Sequence, residues 1–112
     1  ICLMVGEASA AEIGIASTFE DQRLACPGKR FHAGAMLAAH NRLPCGSYVR
    51  VRNLQNQRSV VVEIVDRGPH RKNRVIDLSP KAASKIGSDG LAKVEIIHLV
   101  GFMLLWWKRT GW

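Results

Sequence analysis

Acidic residues are scarce in this chain: nine Asp and Glu face sixteen Lys and Arg, giving a formal charge of +7 at pH 7 and a sequence pI near 9.9. That balance disfavours an extended cationic partner and leaves nucleic acid, an anionic membrane surface and bacterial cell wall as candidates. Aromatics are only 6 % of the residues, and the three tryptophans stand at positions 106, 107 and 112. The body of the chain is therefore short of the stacking groups that nucleic-acid binding uses, and no nucleic-acid partner is expected. Cysteines number three, none belongs to a CxxC pair, and no His or Cys spacing has ligand character, so neither metal nor cofactor is expected. Repeats, low-complexity tracts and linkers are absent as well. With 112 residues, 47 % of them hydrophobic, the chain can bury one core and is too short for two ordinary domains.

Residues 1–12 are apolar and then small, with Ala8-Ser9-Ala10-Ala11 resembling an A-x-A cleavage site at the end of a secretory signal. A first strand is the alternative, but Glu7 and the alanines make a poor one. Lipidation at Cys2 is argued against by Ile1, which stands where a small residue should precede a modified cysteine. Export implies an oxidising compartment, and removal of Cys2 leaves Cys26 and Cys45 as an even pair that could form one disulfide.

Residues 13–100 read as one β-rich unit. Strands are expected over 13–19, 48–52, 59–65, 74–76 and 91–100, with 48–52 and 59–65 forming a hairpin. Arg50 and Arg52 alternate with valines, as on a solvated sheet face, whereas Arg67, Arg71, Lys72 and Arg74 gather around a turn. Ser79 followed by Pro80 reads as an N-cap and first helical residue, residues 81–86 as two helical turns, and Gly87 as the C-cap. The apolar segment 36–40 is too short to assign. Short strands, glycine-rich turns and one small helix together point to a closed barrel. The tail 101–112 is too short for a bilayer span, which needs about 20 apolar residues. It could dock on the barrel, contact a membrane surface, stack on sugars or extend loosely.

The candidate chemistry centres on Asp66-Arg67-Gly68-Pro69. Residues 60–65 form an apolar run, Gly68-Pro69 bends the chain, and Asp66 stands at the junction, where side chains commonly face a cleft. A turn-forming role, bonding the backbone of Gly68, is the alternative. Arg67 and Arg74 could hold substrate groups or pair with Asp77.

Five segments in order resemble the rare lipoprotein A family: Gly14-Ile15-Ala16-Ser17; Ala38-Ala39-His40 with Leu43-Pro44-Cys45-Gly46; Val49-Arg50-Val51-Arg52-Asn53-Leu54; Asp66-Arg67-Gly68-Pro69; and Arg74-Val75-Ile76-Asp77-Leu78-Ser79 with Ala82-Ala83. The resemblance spans residues 14–100 and implies a six-stranded double-psi β-barrel, as in expansins, barwin-like proteins and one class of membrane-bound lytic transglycosylase. It implies an endolytic enzyme that cleaves peptidoglycan glycan strands poor in stem peptides; with the signal-like N-terminus, an exported monomer in the bacterial periplasm or envelope is expected. On this chain the family's catalytic acid falls on Asp66 and its motif histidine on His40, which could bond a sugar, orient Asp66 or sit in the core. Arg67, Arg74 and Asp77 are then the expected substrate contacts. Thr18-Phe19 replaces a common aromatic pair, residues 26–31 replace a polar segment, and a Cys26 to Cys45 disulfide would staple that altered loop to the Leu43-Pro44 turn.

A lytic transglycosylase needs one carboxyl, acid toward the leaving oxygen and then base toward the muramoyl hydroxyl. The nearby arginines would depress Asp66, and Asp77 could offset them if the fold brings the two together. A non-catalytic, expansin-like wall-binding or wall-loosening module is the alternative reading.

Overall fold

The computed structural model describes residues 11–20 and 23–111, so the export-signal reading of residues 1–12 lies almost wholly outside the described residues. Six strands run in chain order: β1 (Glu12–Thr18), β2 (Leu37–Ala39), β3 (Tyr48–Asn53), β4 (Ser59–Asp66), β5 (Arg74–Leu78) and β6 (Ala92–Leu99). Two helices join them, α1 (Pro80–Lys85) and α2 (Gly101–Thr110). The strands close into a barrel in the order β1-β5-β2-β4-β3-β6. Two pairs are parallel, β1 with β5 and β2 with β4, and the other four are antiparallel. This is the six-stranded double-psi arrangement that the family resemblance implies.

Where the sequence alternates, the strands follow it. Val49 and Val51 face the interior and are fully buried, while Tyr48, Arg50 and Arg52 between them are only partly covered. Val62 and Ile64 complete that side of the core from β4, opposite Ile76 and Leu78 of β5. The segment 36–40 resolves into β2, a strand of three residues, too short to carry a period. α1 starts at Pro80 behind Ser79 as the sequence indicates and ends with Ile86 as its cap, one residue before the expected Gly87. Residues 101–110, whose structure the sequence left open, form α2. That helix ends on Gly111 at φ 64, a left-handed position that glycine takes without penalty.

Ser79 ties α1 to the barrel. Its buried hydroxyl donates to the Ala35 carbonyl at 2.7 Å and accepts from the amides of Leu37 at 3.2 Å and Ala82 at 3.4 Å. Ser79→Ala orphans a carbonyl and two amides at once, so urea unfolding should show a loss of about 1–3 kcal/mol with an unchanged m-value. A neutral result would mean that solvent satisfies those groups.

Candidate active site

The two parallel pairings each contain one irregularity, and the one on β4 decides where Asp66 points. Ala38 pairs with Ile64, but the next residue, Ala39, pairs with Asp66, so Val65 is an extra residue on β4. In a regular strand Ile64 and Asp66, two apart, would share the core face. The bulge shifts Asp66 onto the opposite face, beside Ala39. On its other edge β2 pairs antiparallel with β5, Ala38 against Leu78 and Ala39 against Asp77. Asp77 in turn pairs with Ser17 of β1. Ser17, Asp77, Ala39 and Asp66 thus form one lateral row across four strands, and all four line a cleft of about 580 Å³. With neighbouring strands about 4.8 Å apart, the two carboxyl residues stand roughly 10 Å apart at their Cα atoms, with only the methyl group of Ala39 between them.

Asp66 is 7 % exposed, and its Oδ1 accepts from the amides of Ala25 at 2.8 Å and Arg67 at 2.9 Å. Asp77 has a different environment. Burial raises its pKa above the ordinary 3.8; the Ser17 hydroxyl, which donates to Oδ1, and the charges of Arg74 and His70 pull it down, while Asp66 adds a smaller upward push. Gly68 stands at φ 132, a backbone conformation that residues with a side chain rarely adopt, whereas a Cβ there would meet Asp77 Oδ2 only at an ordinary contact distance of 3.6 Å. A larger hollow of about 830 Å³ continues from the cleft past Thr18 and Phe19 to the surface of α1.

Of the residues singled out in the sequence, Asp66, Asp77 and Arg74 meet in the cleft. Arg67 lines it too, but its guanidinium turns back, with Nη1 donating to the carbonyls of His40 at 2.9 Å and Leu43 at 2.6 Å. His40 is not brought there. Its ring lines a separate hollow with Glu12, Arg42 and His98. Nδ1 accepts from the amides of Arg42 at 3.0 Å and Leu43 at 3.1 Å, so Nε2 carries the hydrogen directed at Glu12 Oε1, 3.0 Å away. His40 reaches the site through its backbone, its amide donating to the Asp66 carbonyl at 3.1 Å. Cys26 and Cys45 are joined, Sγ to Sγ 2.08 Å, and pin the loop whose Ala25 amide holds Asp66. The sequence reading left out His70 and named Ala39 only within a motif, without a role, although both line the cleft. His70 directly follows Pro69, and that adjacency was the available signal; nothing local marks Ala39 as a cleft floor.

A family described as lytic transglycolase matches residues 11–96. The endolytic peptidoglycan transglycosylase RlpA of Pasteurella multocida (strain Pm70) is 46 % identical over 96 residues, 80 % of this chain and 33 % of that protein. The chain belongs to the rare lipoprotein A family. It spans between 19 % and 33 % of the length of the curated relatives it matches. Among solved structures, the Streptomyces papain inhibitor aligns with a TM-score of 0.66 at 21 % identity, over 81 % of this chain and 96 % of that one. A Clavibacter michiganensis expansin aligns with a TM-score of 0.65 at 17 % identity, over 81 % and 51 %. These two likenesses establish a common fold for this family member.

Two stability measurements follow from the site. A carboxyl whose folded pKa lies above its unfolded value stabilises the fold fully below the unfolded value, and that contribution is lost as pH rises through the folded one. Asp77 is therefore a net cost at neutral pH, and Asp77→Asn, which still offers Ser17 an acceptor, should unfold at higher urea at pH 7. The gain should vanish below pH 3.8; a less stable variant at pH 7 would show that the Ser17 and Arg74 contacts outweigh burial. Replacing both Cys26 and Cys45 with Ser should cost about 3 kcal/mol for a crosslink of this span and speed hydrogen exchange at the Ala25 amide. Unchanged exchange there would mean that the loop holds Asp66 without the disulfide.

Proposed function

We propose that this barrel binds a peptidoglycan glycan strand across the row of Ser17, Asp77, Ala39 and Asp66 and cleaves it there without water, yielding an anhydromuramoyl end. The observation that carries this reading is the pair of carboxyls that register with the same alanine and face one open cleft. The name of its relatives, endolytic peptidoglycan transglycosylase, supports the substrate and the reaction. We assign the travelling proton to Asp77, and not to Asp66 where the family resemblance puts it, because burial lets Asp77 hold a proton at higher pH than an ordinary aspartate. Asp77 gives that proton to the oxygen leaving muramoyl C1 as the bond to N-acetylglucosamine breaks. It then takes the proton of the muramoyl C6 hydroxyl as that oxygen bonds to C1, and is restored.

Asp66, its carboxyl plane held by the amides of Ala25 and Arg67, faces the positive charge that develops at C1. Arg74 and His70 at the rim suit the carbonyl and carboxylate groups of the muramoyl substituents. Arg67 and His40 act as positioning residues, fixing the turns from which Asp66 projects. The protein acts as an exported monomer in the bacterial cell envelope.

A second reading is favoured by the seclusion of His40 and by the two amides on Asp66, both of which suit a fixed binding surface. In it the same row holds a strand without breaking it, as a wall-binding or wall-loosening module.

Peptide-free glycan strands incubated with the protein and analysed by mass spectrometry separate the readings. The expected result is new anhydromuramoyl ends, lost about 10²- to 10⁴-fold in Asp77→Asn with strand binding retained, and a rate that falls as Asp77 deprotonates on the alkaline side. Loss in Asp66→Asn with full activity in Asp77→Asn would return the proton to Asp66. Binding with no new ends would establish the non-catalytic module.

A further inference from the structure

We propose that the outer face of α2 docks on an anionic lipid surface. Phe102, Leu105 and Trp106 fall at helical spacings that place them on one face, and they are 76 %, 61 % and 51 % exposed. With Arg109 and Thr110 they line an outward-facing hollow of about 490 Å³. The helix is seated by its other side. The Trp107 ring centroid lies 5.2 Å from that of Tyr48, and the Lys108 ammonium sits 5.5 Å over the same ring. That anchoring holds the apolar face outward.

The occupant is identified by charge. α2 contains no acidic residue, its last turn holds Lys108 and Arg109, and the whole chain carries +7. Exposed Phe and Trp flanked by cations are the composition of a helix that lies in a headgroup layer, where an anionic surface attracts the basic end and the rings enter the interface. A second copy of the chain is a poorer fit, because pairing two such faces would bring like charges together. Ten residues rise only about 15 Å, half of the roughly 30 Å hydrocarbon core, so the helix lies on the surface and does not cross it. The placement suits a protein that also works in its cleft. Trp107 lines a hollow with Val60 and Val61 near the start of β4, and Asp66 is at the other end of that strand, roughly 20 Å away at 3.3 Å per residue. This inference stands whether or not the cleft cuts glycan.

The test uses the full chain with phosphatidylcholine vesicles, with and without phosphatidylglycerol, read by co-sedimentation and by the blue shift of tryptophan emission. The proposal expects binding to the anionic vesicles, at least about tenfold weaker binding to the neutral ones, and loss at high salt. A Phe102→Glu/Trp106→Glu double variant should lose binding at least about tenfold while keeping its circular dichroism and thermal midpoint, since both side chains are exposed. Arg109→Glu should weaken binding to the anionic vesicles and leave the neutral ones unchanged. Absence of vesicle binding by the parent chain, or equal binding by the double variant, overturns the proposal. A sedimenting dimer that the double variant dissolves, without vesicle binding, also overturns it and gives the face to a second copy.

Discussion

The site depends on a strand of three residues, β2, being hydrogen-bonded to β4 on one edge and β5 on the other. Because residues paired across a sheet share a face, Ala39 is the common neighbour of two aspartates that are eleven positions apart in sequence, Asp66 and Asp77. Its methyl side chain is the smallest that still has a Cβ, and it leaves the space between the carboxyls open. Val65, the extra residue on β4, makes the arrangement possible, since without it Asp66 would follow Ile64 toward the core.

Around this row, neighbouring groups each limit one freedom of the chain. The amides of Ala25 and Arg67 fix the carboxyl of Asp66, and the disulfide between Cys26 and Cys45 fixes the loop that supplies the first of them. Arg67 binds the carbonyls of His40 and Leu43, and His40 accepts the amides of Arg42 and Leu43, so the turn after β2 is closed from both sides. Asp77, by contrast, is held by the Ser17 hydroxyl while burial works against its charge. A carboxyl kept in surroundings that disfavour its ionised form costs stability, a common price at sites that move protons.

The positive charge of the chain meets different surroundings in the cleft and on α2. In the cleft, the charges of Arg74 and His70 favour the ionised form of Asp77. On α2, Lys108 and Arg109 have no acidic residue within the helix to balance them, and the face beside them is apolar. Equal charges thus acquire different meaning from what the fold places next to them.

Much of the barrel was legible in the sequence wherever a local rule applied. The alternation of Val49 and Val51 with arginines marked a half-buried strand, the apolar run before Asp66 marked a strand ending at a turn, and Ser79-Pro80 marked the start of α1. β2 was unreadable because three residues hold no period, and α2 because a short apolar tail suits several structures equally. At the site, the sequence order of the motifs singled out Asp66 and Asp77, but it also suggested His40 and Arg67 as groups facing substrate, and their rings and forks turn elsewhere. The sequence by itself determined which residue types were available and, to within a residue or two, where the longer strands lie, since those follow from neighbours along the chain. Which side chains share the face of the site was decided by the tertiary structure, because one extra residue, Val65, turns Asp66 to the opposite face, and no local pattern distinguishes it from the valines before it.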